Sequence, residues 1–249
     1  MDPSSIVLHV PHSSTFIPES ERGSFRIGLS DELLKMTDRY CDELFCGDHP
    51  SVVFPVSRLV CDPERFRDDA LEPMSEVGMG AVYTRAHDGA VLRSVGIEER
   101  ERIMKTYYDP HHSALTEAVQ SALDKTGTCL IIDGHSFAPK PLPFEKDQRP
   151  DRPDFCIGTD PYHTPDELAR SAFRFLRERG YSVAFNAPFS GSLVPMRFYR
   201  KDRRVASIMI EINRRLYMYD DGRRNEEFNT IRTVVQELIR QLSGQYQPA

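Results

Sequence analysis

The sequence predicts an α/β fold in three layers, with helices on both faces of a mainly parallel or mixed central sheet. Five short, β-branched runs bounded by Pro, Gly, Asp or Asn have the make-up of buried strands. Stretches with apolar residues at helical spacing lie between them, as in folds whose sheet is covered on both sides. A length of 249 residues with 39% hydrophobic content suits one sizeable core, so residues 1–249 are read as a single domain.

The first strand is Ile6 to Val10, stopped by Pro11. A helical pattern follows, with Ser30 as N-cap before Asp31 and Glu32, and Leu33, Leu34, Tyr40, Cys41, Leu44 and Phe45 recurring on one face. The second strand is Val52 to Val56. In "YYDPHHSAL" Pro110 must kink or restart a helix, and the third strand then runs from Cys129 to Ile132. Residues 137–154, "FAPKPLPFEKDQRPDRPD", are too polar for a core and too long for a tight turn, so they read as an excursion over an active site. Thr164, Pro165 and Glu167 form a capping-box start, and Gly180 a stop, for the helix that leads into the fourth strand, Ser182 to Phe185. The fifth strand is Ser207 to Ile212. A last helix carries Ile231, Val234, Val235, Leu238, Ile239 and Leu242 and ends at Gly244.

A net charge of -6 and a pI near 5.8 argue against nucleic acid or anionic lipid as a partner. No apolar run approaches the roughly 20 residues that span a bilayer, and "MDPSSIVLHV" lacks the layout of a signal peptide. A cytoplasmic location is the default expectation. The five cysteines, Cys41, Cys46, Cys61, Cys129 and Cys156, form no CxxC pair and read as reduced and structural.

Sheets of this kind bind ligands beyond the carboxyl ends of their strands. The first strand runs into "HVPHSS", which puts His12 at that rim with the hydroxyls of Ser13 and Ser14. The third runs into "IIDGHS", which puts Asp133, His135 and Ser136 there. Two imidazoles at neighbouring strand ends can share one ion, and a catalytic zinc or another divalent metal takes three protein ligands and keeps one position open. Asp38, at the edge of the apolar arc, is the expected third ligand; Asp42 is the alternative, and Asp38 could instead pair with a nearby arginine. Asp133 is placed to orient an imidazole by accepting its free N–H.

In "SIMIEINRR" Ile208, Ile210 and Ile212 share one face and Met209 and Glu211 the other. Glu211 would be partly desolvated near the strand end, which raises a carboxyl pKa toward that of a general base. A structural pair with Arg214 or Arg215 is its bland alternative. An acidic protein that binds a carboxylate must concentrate guanidinium groups, and Arg65 and Arg214, each after a strand, stand out from Arg58, Arg85 and Arg93. His112 shares a face with Leu115 and Val119, which also suits a buried hydrogen-bonding histidine. Asn186 and Gly191 lie in "NAPFSGSLVP", a loop that lets backbone approach a ligand.

The ordered set "HVPHSS", "TDRYCDELF", "SRLVCDPERF", "GAVYTRAHDGAVLR", "YYDPHHSAL", "DGHSF", "PDFCIGT", "NAPFSGS" and "IEINRRLYM" resembles the N-formylglutamate amidohydrolase family across nearly the whole chain. The resemblance implies a phosphorylase/zinc-carboxypeptidase-like fold and a metal-dependent deformylase acting on a small acidic substrate, as monomer or homo-dimer. It points to His12 and His135 at a zinc or other divalent ion, Glu211 near the reacting carbonyl, and Arg65 and Arg214 at substrate carboxylates. Asn186, His112 and Ser13 are expected around the substrate; Asp38 as third ligand comes from "TDRY". The chain departs from the family in "HSS" for His-Ser-Gly, "DPERF" for Asp-x-Asn-Arg and Ser192 for a second glycine. These changes touch binding loops, so a broader N-acyl amino acid deacylase stays open. Two rivals are a cysteine amidase built on Cys61 and a catalytically silent binding module for acidic metabolites.

Overall fold

The computed structural model describes residues 5–245. In chain order the main elements are β1 (Ile6–Val10), α1 (Glu19–Arg22), α2 (Leu29–Met36), α3 (Cys41–Leu44), β2 (Ser51–Val53), α4 (Ile97–Ile103), α5 (Asp109–Thr126), β3 (Cys129–Phe137), β4 (Phe155–Gly158), α6 (Asp166–Glu178), β5 (Val183–Phe185), β6 (Val205–Asn213) and α7 (Phe228–Gln245). The strands form one mixed sheet in the order β2-β1-β3-β6-β4-β5. β2, β1, β3 and β6 run parallel, while β4 pairs antiparallel with β6 and parallel with β5. No helix among the described residues is long and apolar enough to cross a membrane.

Alternation along the strands divides the core. Ile6, Leu8, Leu130, Ile132, Ile208, Ile210 and Ile212 face α3, α6 and α7, and Val7, Cys129, Ile131 and Val205 face α5. Helices therefore cover both faces, as the alternation of elements predicts. At Gly134 an added Cβ would lie 2.5 Å from the Phe45 ring, so glycine lets the segment after α3 settle directly on β3.

Several elements differ from the sequence expectation. The helix expected to run from Ser30 through Phe45 is two: Thr37 is extended and Tyr40 left-handed (φ 69), which breaks it between α2 and α3. The break frees the Asp38 N–H to donate to the His12 carbonyl at 3.0 Å. Gly28, without a side-chain cap, precedes α2 in place of Ser30. Thr164 does not cap α6, because its hydroxyl donates to the Ser207 carbonyl. Gly180 does end that run, at φ 87, whereas α7 continues past Gly244. β4 was not anticipated, and β3 and β6 extend beyond their predicted ends. His135 thus lies within β3, where it is the partner in register of Glu211 on β6, the strand expected to carry it.

Candidate active site

The His12 and His135 rings meet edge to face with centroids 5.1 Å apart. Asp38 Oδ2 lies 3.7 Å from His12 Nδ1 and 3.3 Å from His135 Nδ1. Ligand atoms from these three buried residues all fall within 4.8 Å of one another, a spacing that could hold one metal ion. The sequence expectation put all three together; Asp42, the alternative, is exposed and outside the group.

The surrounding hydrogen bonds fix which ring nitrogen is available. A carboxylate only accepts, so His12 Nε2, 2.8 Å from Asp62 Oδ1, carries the proton, as does His135 Nε2, 3.1 Å from Asp133 Oδ1. On His12 the lone pair is then on Nδ1, on the side of Asp38. His135 Nδ1 also meets a carboxylate oxygen, Asp38 Oδ2 at 3.3 Å, so that ring carries both protons here and would give up the one on Nδ1 to bind a cation. Carboxylates behind metal-binding imidazoles orient them in this way. His12 Nδ1 is buried without a hydrogen-bond partner. Unpaired buried polar atoms are costly, and a cation ligated here would satisfy this one. Burial and Arg58 lower the His12 pKa. Burial also opposes charge on His135, but Asp133 and Asp38 outweigh it and hold the pKa well above the usual imidazole value. On Asp38 the two imidazoles and Arg214 overcome burial and hold the carboxyl well below its usual range.

Asp38 has the arginine partner that was its alternative reading as well. Arg214 Nη2 donates to Oδ1 at 2.8 Å, which leaves Oδ2 toward the imidazoles. The rest of that guanidinium donates to Ser136 Oγ and the Lys35 carbonyl at 3.1 and 2.6 Å. Arg214 lines the cavity, as the expectation that it meets substrate requires, and its guanidinium also holds Asp38. Glu211 is buried beside His135, and its Oε2 has no hydrogen-bond partner. Burial pushes this carboxyl up to about 8, against the pull of His135.

The group opens into a cavity of about 380 Å³, whose wall includes Arg58 and Arg65. Asp62, which the sequence reading left without a role, accepts from His12, from Arg58 Nη2 at 2.8 Å and from the Tyr83 hydroxyl. Arg65 Nε lies 3.6 Å from Asp62 Oδ2 but makes no hydrogen bond. Asp133 also accepts from His9 Nδ1 at 2.8 Å, and His9 Nε2 meets His111 Nε2 at 2.9 Å. The inward histidine of α5 is therefore His111, where the sequence favoured His112. Period-two alternation from Val7 would have flagged His9 as inward-facing, and the arginines on both sides of Asp62 would have flagged that carboxylate. Glu64, whose buried Oε1 sits 3.5 Å from His9 Nδ1, gave no such signal.

Three expected substrate ligands are not on this wall. Asn186 is exposed, and its amide is engaged with Thr159 at 2.8 and 2.9 Å. His112 bonds the Pro63 carbonyl at 2.9 Å and faces an adjoining cavity with Tyr108. Ser13 does not line the cavity. Cys61 is fully buried and burial raises its thiol, so it is not placed to be the nucleophile of a cysteine amidase. The excursion after β3 covers part of the site through Leu142, Phe144 and Glu145. It is anchored by Arg152, which pairs with Glu145 and lies over the Phe137 and Phe189 rings at 5.8 and 5.9 Å.

A family model described as N-formylglutamate amidohydrolase matches residues 4–218. A crystal structure of an N-formylglutamate amidohydrolase from Ralstonia eutropha JMP134 is similar at 27% identity and a TM-score of 0.85, over 96% of this chain and 93% of that one. The gene product Atu2144 from Agrobacterium tumefaciens is similar in fold, at 18% identity and a TM-score of 0.66, over 97% of this chain and 94% of that one. No curated protein matches the sequence significantly.

Proposed function

The chain belongs to the N-formylglutamate amidohydrolase family, and from that premise we propose that it hydrolyses the N-formyl group of an acidic amino acid such as N-formyl-L-glutamate in a metal-dependent reaction. The observation that carries the metal dependence is the unpaired Nδ1 of His12, buried and turned toward Asp38 Oδ2 and His135 Nδ1. His12, Asp38 and His135 would hold a zinc or another divalent ion. When bound, such an ion supplies Lewis acidity toward a water and the formyl oxygen.

The chain's own groups do the rest. Glu211 takes the proton of the attacking water at Oε2, the oxygen without a partner, and returns it to the leaving nitrogen. Burial raises its affinity for a proton, and a bound dication would favour the ionised, proton-accepting form. Arg214 keeps Asp38 in place, and Asp62 and Asp133 keep the two imidazoles in the tautomer that ligates metal. Arg65 is the guanidinium best placed to bind the α-carboxylate, because its Nε makes no hydrogen bond and it stands beside Asp62, the partner of His12. That contact would position the scissile amide next to Glu211.

The test is metal analysis of the purified protein combined with formate release from N-formyl-L-glutamate, before and after chelation. Bound divalent metal and chelator-sensitive formate release are expected. Formate release that survives complete removal of metal would reject the mechanism, and metal without hydrolysis across N-acyl amino acids would favour the binding-module alternative.

A further inference from the structure

We infer that Lys35 and Lys146 are the residues that recognise the distal carboxylate of the acidic substrate proposed above. The inference deepens the amidohydrolase reading and rests on it. Its basis is a sorting of the charges on the cavity wall into those already neutralised and those not.

Five cationic side chains line this cavity: Lys35, Arg58, Arg65, Lys146 and Arg214. Arg58 is engaged by Asp62, and Arg214 by Asp38. Arg65 leans toward Asp62 at 3.6 Å without a hydrogen bond. Among the described residues, neither Lys35 nor Lys146 has a carboxylate as ion-pair partner, although acidic residues share the wall with them. Apart from Glu211 beside His135, those acids are engaged by other groups, Asp38 by Arg214. Glu72 accepts from the Phe66 and Met74 N–H groups at 3.0 and 2.9 Å. Glu145 pairs with Arg152, and Asp147 accepts from Arg149 at 2.5 Å. Glu64 is turned inward toward His9. Lys35 is half-buried at the end of α2.

The covalent structure of the substrate decides which cation meets which carboxylate. The α-carboxylate sits on the carbon bearing the scissile nitrogen, so it must lie near the reacting centre, where Arg65 stands beside Asp62. A side-chain carboxylate lies two methylenes further out in glutamate. Lys35 precedes Asp38 by three residues on the wall and Lys146 belongs to the covering excursion, so these two supply the outer positive charge.

The experiment compares N-formyl-L-glutamate with its neutral isostere N-formyl-L-glutamine, using metal-loaded wild type, Lys35→Met, Lys146→Met and the double variant. Wild type is expected to favour the glutamate derivative by about tenfold or more in kcat/KM, the scale of a charge-assisted contact. The double variant should bring that preference toward unity through KM, with each single variant intermediate. Retention of the full preference by the double variant would overturn the lysine assignment and leave the amidohydrolase reading standing. No formate from either compound with wild-type protein would sink that reading, and this inference with it.

Discussion

The inner end and the outer wall of one cavity are built on opposite terms. At the inner end, Asp133 alone accepts from His9, His135 and the Leu193 N–H, and Asp62 accepts from His12, Arg58 and Tyr83. On the outer wall Lys35 and Lys146 have no ion-pair partner among the described residues, and Lys146 is exposed. A buried, cross-bonded group holds atoms to fixed positions, as stabilisation of a transition state requires. An unpaired, partly solvated group can meet a ligand without first breaking a contact. The contrast teaches where each kind of change should register: inner substitutions in kcat and metal affinity, outer ones in KM and substrate choice.

The largest expected effect tests the inner end. Glu211→Gln removes the proton acceptor while keeping the side-chain shape, and should lower kcat by about 10²–10⁴-fold, the range that general bases supply. Metal content and the folded state should persist. Near-normal turnover in that variant would reject Glu211 as the base and break the comparison at its strongest point.

Next in size are the carboxylates behind the imidazoles. Asp62→Asn and Asp133→Asn should each weaken metal affinity by about 10–100-fold, read by competition with a chelator of known strength. Each change also disturbs two further donors, Arg58 and Tyr83 at Asp62 and His9 and the Leu193 N–H at Asp133, so the two losses should be comparable. Metal affinity equal to wild type in both would mean that the imidazoles need no outer support. Arg65→Met should act on the boundary between the two regions and raise KM for N-formyl-L-glutamate by about tenfold, with a smaller change in kcat. A fall in kcat with KM constant would move Arg65 from binding to the reacting centre.

This same division shows what could be read from the sequence. His12 and His135 were legible because strand ends are where parallel sheets present ligands, and Glu211 because alternation puts it opposite three isoleucines. Asp38 was reached by the wrong route: the wheel assumed a continuous helix, whereas the chain breaks at Thr37 and donates the Asp38 N–H to His12. A contact between segments 26 residues apart in number has no local signature. β4 escaped notice because its four residues, bounded by the polar excursion, are too short for a periodic signal. Asn186 was misplaced because position after a strand indicates nearness to a site but not whether the side chain is already bonded. The lysines went unread because an unpaired charge is defined by its neighbours, which only the folded chain assembles.

The smallest expected effect concerns stability rather than turnover. Burial raises the Glu211 carboxyl to about 8, whereas in an unfolded chain a glutamate titrates near ~4.3. Between those values the folded state keeps a proton that the unfolded state has released. Folding therefore takes up a proton, and this group's contribution, fully present below the lower value, is lost as pH rises through the folded one. Glu211→Gln removes the dependence. In metal-free protein the variant should melt a few degrees above wild type at about pH 8, a shift of roughly 2–4 °C per kcal/mol for a chain of this size, and alongside it near pH 4. A bound dication favours the ionised carboxylate, so metal should narrow the gap. Melting curves that stay parallel across that pH range would show that Glu211 holds no extra proton, and would leave its basicity to be set by the metal alone.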